Sequence, residues 1–382
     1  MAEDMTPKRY DMGPQPYPSD NTVIALVAAL PAHYQRDIAW AAKGTALAAD
    51  RRTLVTPSAL TVNVGGLGYL IDTSVEIDLA TAGNWDDTDT TDYTVAANRA
   101  GQDFYVYACQ QGGSAPKLVL SANATVPSGY TADTSRKVGG FHGLCADVGT
   151  IAGHPLSDYV GGDILPASIW DLDHRPACSP EGMVYDAKSD LWVDIYLTSG
   201  TGISTASANG ATISDSRDWM DFVDALGAVG KRLLSDTEFQ LAAAGSNEET
   251  NIDGRADPIT TGGHVDTAAR RMISDIGAED MCGVMCQWLL DQGYRYDGGG
   301  HNHGDPYDSA TVDPAPGWGW YNLPGDKGSV YRQGTYGDTK LRAGGYWGFG
   351  SYCGSRSRFS YSVRWTASSD VGARGCARSQ RA

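Results

Sequence analysis

Clear helical periodicity occupies only a short part of this chain, and this limits the folds that the chain can adopt. Apolar side chains recur at helical spacing over residues 217–229, with Gly230 placed to end the helix. Ser216 or Asp215 is predicted to cap its start. A second short helix follows within a few residues. A fold with so little helix must take its core from strands and loops.

The second predicted helix has a capping box, in which the side chains of Ser235 and Glu238 each accept a hydrogen bond from the other residue's backbone N–H. Gly245 is placed to end this helix. Its apolar face is predicted to comprise Phe239, Ala242 and Ala243. From Ser246 onward the chain is rich in glycine and lacks a regular period, a pattern that favours functional loops.

Before the helices, short alternating runs predict antiparallel strands between residues 60 and 142. The runs are LTVNV, YLIDTSVEIDL, DFYVYAC and KLVLSA, separated by glycine, asparagine and aspartate clusters. We therefore expect an α+β protein with a β-sandwich over residues 51–146. Residues 147–167 are predicted to form a linker, and a second domain to span 165–382. Residues 1–50, with a short helix around 37–49, receive no predicted role.

Bulk properties exclude some classes of partner. The formal net charge of −17 argues against binding nucleic acid or anionic lipid through the whole chain. The apolar run at residues 23–30 is too short to span a membrane, and its flanks are not those of a signal peptide. Seven cysteines, an odd number at scattered positions, do not predict a disulfide framework.

The last 41 residues, 342–382, have the composition of a binding surface. They contain seven Arg, seven aromatic residues, eight Ser and seven Gly, with one acidic residue and no Leu, Ile, Lys or Glu. Tyrosine, serine and glycine with occasional arginine are typical of antibody-like binding sites. The local charge of +6 favours a partner with acidic patches. The alternative is that the aromatic residues are core residues of strands, namely Tyr346, Phe349, Tyr352, Phe359 and Tyr361.

Several motifs occur in an order that resembles a known family. They are GKRLLSDTEFQLAAAG (230–245), DMCGVMCQW (280–288), RAGGYW (342–347) and VGARG (371–375). Together they resemble the formylglycine-generating-enzyme subset of C-type lectin folds. Within that subset, YVYAC, PSGYTADTSRKVGGFH, WDLDHRP and LWVDIYL are similar to variable proteins of diversity-generating retroelements, phage tropism determinants among them. The resemblance covers roughly residues 90–382.

This resemblance implies a non-catalytic protein that binds a surface ligand or receptor through a diversified C-terminal surface. It also implies a variable region at about 342–376, a homotrimer, and a location on a phage virion or a cell surface. The first fifty residues do not match the β-prism that opens the phage proteins.

Alignment on the GG-x-W and G-A-R-G motifs assigns twelve variable positions by resemblance. Each is compatible with adenine-directed mutagenesis of AAY codons. They are Tyr346, Gly348, Phe349, Gly350, Tyr352, Phe359, Tyr361, Ser362, Thr366, Ser368, Asp370 and Val371. We expect them to face solvent. The fixed scaffold between them is expected to comprise Trp347, Gly354, Ser355, Arg356, Gly372 and Arg374, with Trp347 packed inward and the arginines bonded to loop carbonyls.

Two other functions stay open at this point. The formylglycine-generating enzymes bind copper through two cysteines, of which Cys353 matches the second, whereas Gly348 occupies the place of the first. One thiolate cannot form a two-thiolate Cu(I) site, although Cys376 is a candidate replacement or disulfide partner. The other alternative is a lectin-like adhesion or structural module of fixed specificity.

Metal sites are weaker hypotheses. His301 and His303, with Asp305 and Asp308 close behind, have a spacing capable of binding a divalent ion, but a solvated loop is the simpler interpretation. Glu248, Glu249 and Asp253 are candidates for a structural calcium ion. No other cofactor is predicted, since phosphate-binding and nucleophile-elbow motifs are missing from the sequence.

Overall fold

The computed structural model describes residues 47–56, 60–71, 73–112, 114–295, 319–322, 328–332 and 337–380. Within these residues the regular secondary structure is mostly β-strand, with three short α-helices. None of these helices is long and apolar enough to cross a bilayer. The predicted helix around 37–49 and the histidine loop lie largely or wholly outside the described residues.

Seven strands and one helical turn precede residue 143. The strands are β1 (Thr53–Val55), β2 (Leu60–Val64), β3 (Leu67–Ile71), β4 (Glu76–Asp78), β5 (Asp103–Gln111), β6 (Ser114–Ser121) and β7 (Ser135–His142). The helical turn is α1 (Ala96–Arg99).

The rest of the chain contributes eleven strands and two helices. The strands are β8 (Trp170–Asp171), β9 (Met183–Asp186), β10 (Leu191–Asp194), β11 (Arg232–Leu233), β12 (Cys286–Arg295), β13 (Gly319–Asn322), β14 (Ser329–Arg332), β15 (Gly337–Gly344), β16 (Gly354–Ser362), β17 (Val371–Gly372) and β18 (Gly375–Arg378). The helices are α2 (Trp219–Ala228) and α3 (Asp236–Ala242).

The first unit is built on a four-stranded antiparallel sheet in the order β6-β5-β7-β8. Two antiparallel ribbons, β1-β4 and β2-β3, share one hydrophobic cluster with this sheet. The predicted strands are thus confirmed, but the layer opposite the sheet consists of two ribbons. Strand β8 lies beyond residue 146, so this sheet extends past the predicted end of the unit.

Strand β5 is buried on both faces, which explains its continuous apolar run. One set of alternate residues packs in the cluster with the ribbons: Phe104, Val106 and Ala108. The other set packs in a second cluster: Tyr105, Tyr107 and Cys109. That second cluster includes Met183, Trp192 and Ala377 of the C-terminal unit. The sheet therefore joins the two halves of the protein through its second face.

The segment predicted as a linker is part of the core. Val148, Leu156 and Leu165 are at most 4% exposed and belong to the same cluster as strand β10 and helix α3. Glycine and proline content suggested a linker, but such residues also permit the tight turns of a compact segment. The prediction of a linker at 147–167 is therefore wrong.

Two sheets organise the C-terminal unit. The first is antiparallel, in the order β11-β18-β10-β9. The second is mixed, in the order β13-β14-β16-β15-β12-β17. Its parallel pairs are β14 with β16 and β12 with β17.

Both predicted helices of this unit are present. The Ser235 and Glu238 capping box of α3 is confirmed, and the predicted apolar face of α3 is buried. The predicted cap of α2 is wrong, because Asp218 caps this helix in a reciprocal box with Asp221. Ser216 lies outside the helix, where its φ of 52° and the bond from its backbone N to Ser368 O hold it in a turn.

Candidate ligand-binding surface

The C-terminal segment passes through both sheets of its unit. From Arg342 it completes β15, turns through residues 345–353, and returns as β16 in the middle of the mixed sheet. A loop over 363–370 then leads to β17 in the mixed sheet and β18 in the antiparallel sheet. Because a sheet strand flanks each end of the turn and of the loop, both segments are held on a rigid support.

Four aromatic side chains of this segment stack from the sheet outward. The Phe359 and Phe349 rings are nearly parallel, with centroids 4.8 Å apart and an interplanar angle of 11°. The ring centroids of Tyr346 and Phe349 are 3.9 Å apart, and those of Tyr361 and Phe359 are 5.7 Å apart. Phe359 is 2% exposed, whereas the other three rings are half-buried. The stack thus begins in the core and ends at the surface.

Exposure differs among the twelve predicted variable positions. Two are exposed: Gly348 and Tyr352. Seven are half-buried: Tyr346, Phe349, Gly350, Tyr361, Thr366, Ser368 and Asp370. Three are buried: Phe359, Ser362 and Val371. The expectation that all twelve face solvent is wrong for these three, because β16 is an inner strand and β17 packs beside β12. The assignment of all twelve to a variable set stays a prediction.

The core alternative for the aromatic residues is therefore correct for Phe359. Its cluster includes Phe222 and Leu226 of α2 and Trp288 of β12. Tyr352 is 37% exposed and belongs to the surface. Both interpretations of the aromatic residues therefore apply, each to different residues of the segment.

Hydrogen bonds with Glu248 and Glu249, two of the candidate calcium ligands, hold the end of the turn over 345–353 in place. The carboxylate of Glu248 accepts hydrogen bonds from Ser355 N at 3.0 Å and from Ser355 Oγ at 2.6 Å. The backbone N of Glu249 donates to Cys353 O at 2.9 Å. Among the described residues, no group of three or more His, Cys, Asp or Glu side chains is placed to hold a metal ion. These contacts give Glu248 a structural role that its sequence context did not reveal.

Buried arginines hold the scaffold, as predicted for Arg374 but not for Arg356. Arg374 is 1% exposed and donates to Asp194 O at 2.7 Å and Ile195 O at 2.6 Å. Arg356 is exposed. Arg358 instead donates to the carbonyls of Ser355 and Ser357 at 3.0 and 2.9 Å. The reason is the local course of β16, which turns residue 356 to solvent at the start of the strand and residue 358 toward α3.

The other scaffold residues are placed as follows. Trp347 is half-buried, and its backbone N donates to Val284 O at 3.1 Å. Its carbonyl accepts a hydrogen bond from Asn251. Gly354 and Gly372 are buried.

The loop over 363–370 is fastened to the start of α2. The backbone N of Trp219 donates to Arg364 O at 3.0 Å, and that of Ser216 donates to Ser368 O at 3.1 Å. Asp370 O accepts from Cys286 N at 3.0 Å. Trp365, at the outer side of this loop, is 69% exposed. Trp365 is outside the predicted variable set, although a tryptophan in a segment without leucine or isoleucine is a signal of a contact surface.

The electrostatic character of the surface differs from the expectation. Of the seven arginines in the segment, Arg342, Arg358 and Arg374 are buried. Near the loop, partial loss of hydration raises the pKa of the largely exposed Asp257, and the carboxylates of Asp215 and Asp370 raise it further. A local charge of +6 therefore overstates the positive charge that this surface presents, and the preference for an acidic partner stays a prediction.

The cysteines are free thiols. Cys353 is buried beside Tyr346 O, whereas Cys376 lies beside Leu233 O in the antiparallel sheet. Burial raises the pKa of each of these two thiols to about 12. A Cys353 to Cys376 disulfide is not formed, and neither thiol is ionised near neutral pH.

Comparison with known proteins agrees with this architecture. The family described as Mtd second domain matches residues 46–171. The tail fiber receptor-binding protein of Bordetella phage BPP-1 is 30% identical over 312 residues, which are 75% of this chain and 74% of that protein.

Solved structures of phage proteins are also similar. The Major Tropism Determinant M1 variant superimposes with a TM-score of 0.65 at 25% identity, over 91% of this chain and 87% of that one. The U1 variant gives a TM-score of 0.66 at 25% identity, over 92% and 89% of the two chains. This chain belongs to the family of phage tail fiber receptor-binding proteins that includes the major tropism determinants.

Proposed function

We propose that this chain is a receptor-binding protein whose C-terminal surface is diversified by a retroelement to change its ligand. One observation carries the proposal: an aromatic stack rises from the sheet core through Phe359 and Phe349 to Tyr346 at the surface. Rigid rings presented by a fixed support bind a partner at low entropic cost. The chemistry is binding without catalysis.

The twelve positions named above form the proposed variable set. Those at the surface contact the ligand directly. Phe359, Ser362 and Val371 are buried and act indirectly, and at Phe359 a change of side chain moves the Phe349 ring stacked on it. Adenine-directed mutagenesis of their codons supplies the variation.

The proposed fold is the formylglycine-generating-enzyme subtype of the C-type lectin fold over residues 165–382, with its variable region at about 342–376. It follows a β-sandwich-like unit over 51–146, formed by β5, β6, β7 and the two ribbons, and β8 of the following unit completes its sheet. Residues 1–50 are assigned to a separate segment. The proposed assembly is a homotrimer on a phage virion, facing a ligand on a cell surface.

Neither alternative function is favoured by a specific observation. The copper oxidase requires two ionised cysteines, whereas the thiols of Cys353 and Cys376 have raised pKa values and lie in different parts of the unit. An adhesion module of fixed specificity would use the same surface without variation.

A library experiment tests whether this surface can be retargeted. The library varies five accessible positions over the AAY-compatible residues and is displayed and selected against immobilised hen lysozyme. The positions are Tyr346, Gly348, Tyr352, Thr366 and Ser368. A control library of the same size varies five exposed positions on a loop of the first unit, namely Ala124, Ser128, Thr131, Ala132 and Asp133.

The proposal predicts lysozyme binders from the C-terminal library and none from the control. Restoring the original residues at the five positions should abolish lysozyme binding by each selected clone. Equal enrichment from both libraries, or no binder from the C-terminal library, would contradict the proposal.

A further inference from the structure

A buried cation lies beneath the aromatic stack. Trp288 on β12, Arg342 on β15 and Phe359 on β16 are direct register partners across three neighbouring strands. The Arg342 guanidinium is 5.3 Å from the Trp288 ring centroid and 5.4 Å from that of Phe359. It is also 5.2 Å from the Tyr361 ring. Three aromatic rings therefore surround one positive charge.

No ion pair balances this charge among the described residues. Arg342 is 2% exposed, and its Nε has no hydrogen-bond partner there. Arg358, on the neighbouring strand of the same sheet, pairs with Asp236. A buried cation is costly unless it is compensated, and the negative faces of aromatic rings supply that compensation.

The rings over Arg342 also support the exposed end of the stack. The Phe359 ring packs against the Phe349 ring, with centroids 4.8 Å apart, and the Phe349 ring packs against the Tyr346 ring, with centroids 3.9 Å apart. A change that shifts the ring of Phe359 is therefore transmitted to the surface. Trp288 is outside the predicted variable set, whereas Phe359 and Tyr361 are inside it.

We propose that Arg342 is a positioning residue that restricts and couples the side chains accepted at positions 359 and 361. The proposal rests on the proposed function for the identity of the variable positions. Each of the two positions stabilises the cation when it carries an aromatic face or an anionic group, so replacing either one weakens this compensation. Phenylalanine, tyrosine and aspartate contribute in this way, whereas glycine and valine at both positions leave the cation with the Trp288 ring alone.

A double-mutant cycle on the full chain tests the coupling. Tyr361→Leu and Tyr361→Asp are each made with Arg342 and with Arg342→Met, which keeps the length but removes the charge. Urea unfolding followed by tryptophan fluorescence gives the unfolding equilibrium constant. With Arg342 present, Tyr361→Leu should raise the unfolding equilibrium constant by a factor about ten times larger than it does in the Arg342→Met background. Tyr361→Asp should raise the unfolding equilibrium constant by a factor about ten times smaller with Arg342 than in the Arg342→Met background.

Arg358→Met is the matched control, because it removes a buried arginine from the neighbouring strand that lies against α3 and pairs with Asp236. Its effect should add to those of the Tyr361 variants within about twofold. If the Arg342 cycles are equally additive, Arg342 only fills space and the proposal fails.

A second comparison needs no change at Arg342 and so survives if Arg342→Met does not fold. Tyr361→Asp and Tyr361→Asn differ only in charge. At pH 7 the aspartate variant should have the larger folded fraction, and this advantage should disappear as pH falls to about 2 and the carboxylate is protonated in the folded state as well. An asparagine variant equal to or better than aspartate at both pH values overturns the proposal.

Both measurements report folding, so they do not depend on a ligand. Invariant codons at 359 and 361 among natural copies of the gene would remove these positions from the variable set while leaving the coupling intact. Failure of the proposal and failure of the proposed function are therefore distinguishable.

Discussion

Single residues of the turn over 345–353 decide which side chains this surface can carry. Gly350 has a φ of 56°, in the left-handed region that disfavours most side chains. At Gly348 an added Cβ would meet Cε2 of Tyr346 at 2.7 Å, so a side chain there requires the tyrosine ring to move. Positions 346 and 348 are therefore coupled by contact. Such restrictions come from backbone angles and ring positions, which sequence spacing does not encode.

The backbone at Gly350 gives a prediction. Gly350→Val should lower the free energy of unfolding by about 1–2 kcal/mol more than Gly350→Asn, because asparagine tolerates the left-handed region and valine does not. Urea unfolding of both variants measures the difference. Ser351→Val, at the exposed neighbouring position, is the control and should change little. Equal stability of the valine and asparagine variants of Gly350 would contradict the assigned backbone conformation.

Among the secondary-structure elements, the short helix α3 was the easiest to predict. Its Ser235 and Glu238 box is a local pattern, and the structure has the bond from Ser235 N to Glu238 Oε2 at 2.7 Å. Sequence did not reveal that Glu238 also pairs with Arg232 through two contacts of 2.8 Å. The start of α2 was harder, because Ser216, Asp215 and Asp218 are all suitable caps, and a long-range bond from Ser216 to Ser368 decides among them.

A pH dependence follows from the environment of Glu238. Although burial raises the pKa of this carboxyl, the Arg232 side chain and the backbone N–H of Ser235 outweigh it and lower the pKa to about 2. The folded state thus gains stability above the ordinary pKa near 4.5, and this gain is lost as pH falls toward 2.

Glu238→Gln should therefore cost about 1–3 kcal/mol at pH 7 and much less at about pH 2.5, measured by urea unfolding at both pH values. Glu76→Gln, at an exposed position of β4, is the control and should show no such change. A cost for Glu238→Gln that stays constant with pH would contradict the ion pair.

At the scale of the whole molecule, the two units form one packed structure. The second face of β5 packs against the antiparallel sheet around Trp192, and residues 147–167 contribute buried side chains to the core of the C-terminal unit. The sequence indicated the strands of each unit but not this docking, because a continuous apolar run reports burial without identifying the partner surface. The same limit applies to Phe359, whose aromatic character suits both a core and a binding surface.

Trp192 tests this docking, since it is 0% exposed in the shared cluster. Trp192→Ala should lower the free energy of unfolding by about 3–5 kcal/mol. It should also speed hydrogen exchange in β5 as well as in β10. Trp365→Ala, at a tryptophan that is 69% exposed, should change the free energy of unfolding by less than about 0.5 kcal/mol. If Trp192→Ala leaves exchange in β5 unchanged, the two units are not coupled through this cluster.

The most direct test of a diversified binding surface is to sequence this gene and its flanking DNA from many members of its source population. The account predicts codon differences concentrated at the twelve positions between 346 and 371, with Trp347, Arg342 and Arg374 constant. It also predicts a nearby repeat of the 3′ end, with adenines aligned to the variable codons, and a reverse transcriptase gene. Invariant codons at all twelve positions, with neither repeat nor reverse transcriptase at the locus, would contradict diversification and leave a binding protein of fixed specificity.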